Sequence, residues 1–383
     1  MLVKNSQQFY LWDYDSTLFP LKTNRLLVEK FATELRDFIQ NEVITKELGF
    51  QSQHRVFATK RGWFLRPTVK LDPVAEFFLY DFVYRNRALF RKSPLSHRKT
   101  YGFRIVNGEP ISLLTSYAGF KKSIAKNRSD YKAYAFFDVA AYFNHVYQHD
   151  LVRWFEDAGG SAEEAVLFGR FLRETASGRS IDCLPQGLYP AKMIGAAFLS
   201  FLENSTRIRA AVTVRLMDDM WLFDNDQKTL VSDFLMVQAL LSDRGLAMND
   251  KKSAILEGFD PESDLPPDLD EMKIQLLRKR REELGHGGMY GNESEEYDPD
   301  GDEDPDSLDE LTDEEQAYLL ALLKRETIQE EDAELVLTLM RDHSADLLEF
   351  LPALIRDFPS LAKRLYYFCS EVDDKSEVVL RAA

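Results

Sequence analysis

Three carboxylates in the middle of the chain have the types and spacing to do chemistry. In "FFDVAAYFNHV", Asp138 leaves an apolar β-like run and enters a helical one. In "VRLMDDMWLF", Asp218 and Asp219 sit between two apolar runs, as at the tip of a hairpin. The two loci are 80 residues apart, so they meet only if their strands are neighbours in one sheet. Two or three converging carboxylates are protein ligands that magnesium favours. Two such ions, about 3.5–4 Å apart, stabilise the attacking and leaving oxygens of an in-line phosphoryl displacement. That is nucleotidyl-transfer chemistry. A second acidic pair competes with this one. "DYDSTLFP" sets Asp13 and Asp15 two apart, with Thr17 and Leu18 behind them.

Two further stretches belong to the central group. "LPQGLYPAKMIGAAFLSFL" turns at Gln186 and Gly187 and feeds a long apolar helix, and "LSDRGLAMNDKKSAIL" sets Asn249 and Lys252 after a helix-ending Gly. Singly, each piece has a plain structural reading. A strand-end Asp caps a helix, a DD pair makes a turn, Pro-Gln-Gly is a loop and Lys252 is a surface lysine. Their order along the chain binds them together.

The rest of the chain must position and neutralise these groups. The net charge is −16, yet Glu293 to Glu315 holds 14 Asp/Glu and no Lys or Arg, so the remainder is close to neutral. Residues 51–130 carry 16 Lys/Arg against 5 Asp/Glu, a basic front half that suits a polyanionic or polyphosphate ligand. With 383 residues, 45% of them hydrophobic, the chain can build two or three domains with real cores. Stretches such as "AAFLSFL" are too short for a membrane span, and "MLVKNSQQF" lacks the apolar core of a secretory signal. Cys183 and Cys369 define neither a disulfide framework nor a zinc site, and a cytoplasmic setting is expected.

Periodicity predicts the elements. Residues 23–44 read as an amphipathic helix with Leu26, Leu27, Phe31, Leu35 and Phe38 on one face. Residues 53–69 read as a hairpin, and 72–90 as a helix capped by Asp72 with Pro73 in its first turn. "YAFFDV" and "AAVTVRLMDDMWLF" read as strands, while "AAYFNHVYQHDLVRWFEDAGG" and "VSDFLMVQALLSDRG" read as helices ending in Gly. Asp260 to Leu308 is poor in apolar residues and is expected to be linker or disordered. Four short amphipathic helices follow, broken at Thr327, Ser344 and Pro359, as in a solenoid-like stack.

In their order, the four central pieces resemble the palm motifs of reverse transcriptases. "LPQG" and "LMDD" are close to the retroviral forms, with Leu216 in place of the usual aromatic and Ala191 where many relatives carry Ser. "ATKRGWFLRPTV" with "DPVAEFFLYDFV" resembles the fingers motif, and "KTYGFRI" the next one, so six ordered motifs cover roughly residues 53–258. The resemblance implies an α+β right-hand polymerase followed by an all-α domain. Its parts are an N-terminal extension (1–50), fingers (51–135), a catalytic palm (136–258), an acidic linker (259–311) and a helical-repeat-like region (312–383) that stops soon after its fourth helix. It implies Asp138, Asp218 and Asp219 as catalytic metal ligands for two Mg2+, with Mn2+ as a substitute. Lys60 and Arg66 would neutralise the incoming triphosphate, and Gln186 would contact sugar or base. Tyr142 would lie beneath the sugar and exclude a ribose hydroxyl. Lys252 would protonate the pyrophosphate or hold the triphosphate, and Arg104 would brace the fingers or touch ligand. The implied partners are deoxynucleoside triphosphates (dNTPs), a noncoding RNA template and nascent DNA.

The palm followed by an acidic linker and short helices is similar to the bacterial abortive-infection and defence-associated reverse transcriptases. That group is antiphage and prokaryotic, and the likeness implies RNA-directed or template-independent DNA synthesis. Self-association, or a complex with another defence protein, is expected. Two rivals come from other classes. One is a catalytically inactive polymerase-fold scaffold that binds nucleic acid. The other is a haloacid-dehalogenase-type phosphohydrolase built on Asp13, which leaves "LPQG", "GFR" and the Asp138 cluster unexplained. On the polymerase reading, "DYDSTLFPL" caps the helix that starts near Thr23 and docks the N-terminal extension on the fingers. Phe19 and Leu21 would pack, and the two Asp would serve turn hydrogen bonds.

Overall fold

The computed structural model describes residues 2–59, 65–257, 311–324, 328 and 330–371. Lys60 and residues 259–310, nearly all of the expected linker, lie outside the described residues. The described chain falls into two compact units. One holds residues 2–56 and 67–257; the other holds the residues from 311 on and the ends of the first hairpin at 57–59 and 65–66.

The first unit begins with α1 (Ser6–Asp13), whose N-cap Asn5 accepts from the Gln8 amide. Helix α2 (Lys22–Phe38) differs from the expected arrangement. Its N-cap is Leu21, with no side-chain cap, so neither Asp13 nor Asp15 starts it. Its buried face is Asn24, Val28 and Ala32, whereas Leu26, Leu27, Phe31 and Phe38 are 39–55% exposed, and Leu21 is also exposed. The physical reason is polar. Asn24 donates to the buried Glu76 carboxylate, which Lys70 Nζ also reaches at 2.8 Å. A buried carboxylate without partners costs more than a few exposed methyl groups, so the helix turns its Asn inward.

Strands β1 (His54–Thr59) and β2 (Leu65–Lys70) form a two-stranded sheet. Helix α3 (Pro73–Arg85) follows, with the Asp72 carboxylate accepting from the Ala75 amide and Pro73 in the first turn, as the sequence predicts. It runs through the core with Phe77, Phe78, Phe82 and Val83 fully buried.

A five-stranded sheet forms the centre in the order β3-β7-β8-β6-β9. Its strands are β3 (Arg98–Tyr101), β6 (Ala133–Phe137), β7 (Val212–Leu216), β8 (Asp219–Asp224) and β9 (Ala254–Glu257). Only β3 and β7 pair in parallel; the other neighbours are antiparallel. Between β3 and β6 lie the small hairpin β4 (Ile105–Val106) with β5 (Glu109–Pro110) and helix α4 (Leu113–Asp130). Helix α4 packs on β7, and α10 (Gln227–Ser242) packs on β6 and β8.

Two expected helices are broken. After Asp138 come α5 (Tyr142–His145) and α6 (Gln148–Asp157), separated by extended residues Val146 and Tyr147. Helix α7 (Ala162–Thr175) follows. The apolar run after the Pro-Gln-Gly turn divides at Leu199 into α8 (Tyr189–Phe198) and α9 (Ser200–Glu203).

In the second unit, described residues form helices over Asp313–Leu323, Glu330–Leu339, Leu351–Asp357 and Ala362–Glu371. Thr312 and Glu315 make a reciprocal capping box at the first of them. Leu319, Leu322, Val336, Met340, Leu351 and Leu354 close a separate apolar core.

Candidate active site

The register of the sheet brings the acidic residues together. Phe136 pairs with Trp221, and Leu216 pairs with Asp219 across the β7–β8 hairpin. Side chains alternate along a strand. Asp138, two beyond Phe136, and Asp219, two before Trp221, therefore share one face at adjacent strand ends. Met217 and Asp218 form the two-residue turn, with Met217 at φ +55°. Two-residue hairpins need such a residue, because a positive φ matches the twist of the flanking strands.

The chain around Asn249 closes the other side of Asp138. The Asn249 amide donates to the Asp138 carbonyl at 2.8 Å, and Asn249 Nδ2 donates to Asp138 Oδ2 at 2.8 Å. Val139 bridges Met248, and Lys252 Nζ stands 4.0 Å from Asp138 Oδ2 on a largely exposed side chain.

Like charges dominate what remains. Burial, then Asp138, then Asp219 raise the Asp218 carboxyl to about 7. Burial and Asp138 also raise Asp219, while Lys252 and Lys121 oppose the rise. The Asp219 side chain reaches solvent, yet the protein packed around it still withholds enough water to raise it. Among the described residues no three His, Cys, Asp or Glu side chains gather closely enough to enclose an ion. The donor set nevertheless fits a hard divalent cation: it consists of carboxylate oxygens whose mutual repulsion only positive charge relieves. Asp138, Asp218 and Asp219 are the residues that would hold it.

Gln186 lies in a network of its own. Its amide donates to Thr68 Oγ1 at 2.9 Å, and its Nε2 donates to the Pro67 carbonyl at 3.2 Å and to Asn144 Oδ1 at 3.0 Å. Asn144 in turn donates to Asp182 Oδ1 at 2.6 Å, and Arg55 pairs with Asp182 Oδ2 at 2.6 Å. The Pro-Gln-Gly turn, the helix after Asp138 and strand β2 are thus one hydrogen-bonded assembly.

Tyr142 does not lie where the sequence reading puts it. It is 2% exposed, and its hydroxyl donates to the Gly195 carbonyl of α8 at 2.7 Å. A ring closed inside the core cannot meet a sugar; the half-buried ring at this turn is its neighbour Phe143. Arg104 donates to the Gly102 carbonyl at 3.1 Å, and its own carbonyl accepts from Tyr189 Oη, so it braces its loop. Arg66 lies on β2, among the residues that group with the second unit.

Asp13 is wholly buried. It accepts from Tyr80 Oη at 2.5 Å, from the Tyr189 amide at 2.7 Å, and from Ser16 Oγ. It therefore caps α8 through space, where the local N-cap, Leu188, has no side chain to offer. Leu18 lies against Gly187, where any Cβ would collide with it and where φ is +96°. A carboxylate so enclosed cannot attack a phosphate ester, and the phosphohydrolase reading falls with it.

Sequence reasoning missed Arg215, which is buried and bonded to Glu203, Ala196 and Met217. The available signal was a lone cation inside the apolar run "AAVTVRLM".

The family profile "Reverse transcriptase (RNA-dependent DNA polymerase)" matches residues 90–286, and the chain belongs to that family. Its members are nucleotidyltransferases. Among solved structures, an apo telomerase from Candida tropicalis truncated from its C-terminal domain aligns at 13% identity and TM-score 0.39, over 56% of this chain and 52% of that one. A Candida albicans telomerase in complex with the TWJ fragment of telomeric RNA aligns at 11% identity and TM-score 0.41, over 92% and 66%. The chain spans about half to two thirds of the length of those telomerase chains. No curated protein sequence matches it significantly. Among the described residues no helix is long and apolar enough to cross a membrane.

Proposed function

We propose that the protein is a DNA polymerase, RNA-directed or template-independent, that extends a 3′ end with deoxynucleotides using Asp138, Asp218 and Asp219. The observation that carries this is the convergence of Asp138 and Asp219 on one sheet face beside a turn whose Asp218 is raised to about 7 by burial and then by these two carboxylates. Divalent metal, when bound, supplies the charge that lets the attacking 3′ oxygen and the leaving pyrophosphate coexist with these carboxylates. The chain's own residues do the rest. Asn249 and Lys252 orient Asp138. Lys252, exposed and 4.0 Å from Asp138, would meet the triphosphate. Gln186, steadied by Thr68 and Asn144, faces the nucleotide, with Lys60 and Arg66 as further phosphate partners and Phe143 as the ring beneath the sugar. Phosphoryl transfer depends mainly on positioning and charge compensation.

The finer assignment is to antiphage defence in a prokaryotic cytoplasm. Its support is the likeness of the sequence layout to the defence-associated group, and the noncoding RNA template, self-association and a defence partner belong to the same proposal. A magnesium-dependent incorporation assay tests the core of it. Wild type should extend a primer or itself with dNTPs, and Asp218→Asn should not. Nucleic-acid binding without any incorporation by wild type would favour the inactive scaffold.

A further inference from the structure

We propose that Arg215 is a positioning residue for this polymerase, gripping from behind the turn that carries Asp218; the inference rests on the polymerase reading above. Arg215 pairs with Met220 in the β7–β8 register, so it projects from the face opposite Asp219. It does not neutralise the acidic residues directly. Its guanidinium is spent on holding chain. Nε and Nη2 donate to the two oxygens of Glu203 at 2.8 and 2.6 Å, Nη2 also to the Ala196 carbonyl at 2.9 Å, and Nη1 to the Met217 carbonyl at 2.7 Å. Both members of the pair are 1% exposed, and Thr100 Oγ1 adds a bond to Glu203 at 3.0 Å.

Three physical points favour a positioning role. A buried ion pair gives little net stability over apolar residues of like size, so stability alone explains it poorly. The carbonyl it holds belongs to Met217, a non-glycine residue at positive φ that only its surroundings keep there. And Ala196 lies in the last turn of α8, so the fork reaches the end of that helix. The adjacent carbonyl, Gly195, takes the hydroxyl of Tyr142, four residues after Asp138. Successive carbonyls of one helix end are therefore tied to the Asp138 branch and to the Asp218 turn. That helix begins just after the Pro-Gln-Gly turn. Its end sets the spacing between the two acidic loci against their repulsion.

The test uses the full chain with Arg215→Lys, which keeps the charge but not the fork, and a double variant, Arg215→Met with Glu203→Leu, which leaves no buried charge unpaired. Met217→Gly is added to the first, because glycine takes a positive φ without strain. Fold is followed by thermal melting and metal binding by the magnesium-induced rise in Tm without nucleotide. In the double variant kcat should fall about a hundredfold, as a small misplacement would cause, with dNTP KM within about threefold. The magnesium needed for half of the Tm rise should increase at least about tenfold. Met217→Gly should restore part of the rate lost in Arg215→Lys. A folded double variant with wild-type kcat and metal dependence would overturn the proposal, as would a loss that follows the folded fraction and resists Met217→Gly. If the double variant does not fold, the Arg215→Lys and Met217→Gly comparison decides alone. Full activity in an Asp218→Asn control would instead sink the polymerase reading itself.

Discussion

The chain carries two acidic pairs at the ends of apolar runs, Asp13 with Asp15 and Asp218 with Asp219, and the structure treats them oppositely. Asp13 is ringed by donors: a tyrosine hydroxyl, a helix-start amide and a serine, with Lys192 close enough to lower its pKa against the rise that burial causes. Asp218 is raised by burial and by its carboxylate neighbours Asp138 and Asp219, against a backbone hydrogen bond at its own turn and Lys252. A carboxylate surrounded by donors is finished and can only hold structure. One buried beside its own kind keeps its proton to a higher pH and, on the proposed function, gives it up to a cation. The lesson is that the donors around an acid, and not the acid or its spacing, decide whether it binds or builds.

The largest effect that would break this contrast is catalytic. Asp218→Asn should cost at least about a hundredfold in incorporation, a loss typical of removing one transition-state electrostatic partner, in a protein that still folds. Asp13→Ala should act on stability. It strands two donors in the core, the Tyr80 hydroxyl and the Tyr189 amide, while Ser16 keeps its bond to the Asp13 carbonyl. A loss of about 2–4 kcal/mol by urea melting is expected, with the rate per folded molecule within about tenfold of wild type. The loss exceeds that of a surface cap because the group is wholly buried. A silent Asp13→Ala with normal stability would refute the contrast.

Two smaller effects sharpen it. In metal-free protein Asp218 has a folded pKa near 7, above its unfolded value of about 3.9. Its folded form therefore favours the proton. Its contribution to stability is full below about pH 4 and is lost as the pH rises to about 7. Asp218→Asn, always neutral, should melt higher than wild type at pH 8 by roughly 10 °C, with the gap closing towards pH 4.5. An unchanged gap across that range would show that the Asp218 carboxyl is not raised by burial and its neighbours. The smallest effect concerns the rings. Phe143→Ala should raise ribonucleotide incorporation, whereas Tyr142→Phe should leave discrimination unchanged and cost about 1 kcal/mol for the bond to Gly195. The reverse result would return the sugar to Tyr142.

Local pattern was enough for much of the fold. Asp72 and Pro73 announce α3, the apolar run around Asp218 and Asp219 announces its hairpin, and Thr312 with Glu315 announces a helix start. Each is settled by residues within a few positions, so the sequence displays it. The exposed stripe of α2 was not legible, because its orientation depends on Asn24 meeting Glu76, 52 residues away. The same holds for the site. Sequence offered Asp138, Asp218 and Asp219 as candidates, since all three stand at the ends of apolar runs, and it offered Asp13 beside them. Only the tertiary structure decided that Tyr142 is core, that Asp13 caps a helix 176 residues downstream, and that Arg215 holds the turn. Those roles depend on which donors meet which acceptors across long stretches of chain, and pairing of that kind leaves no local period to read.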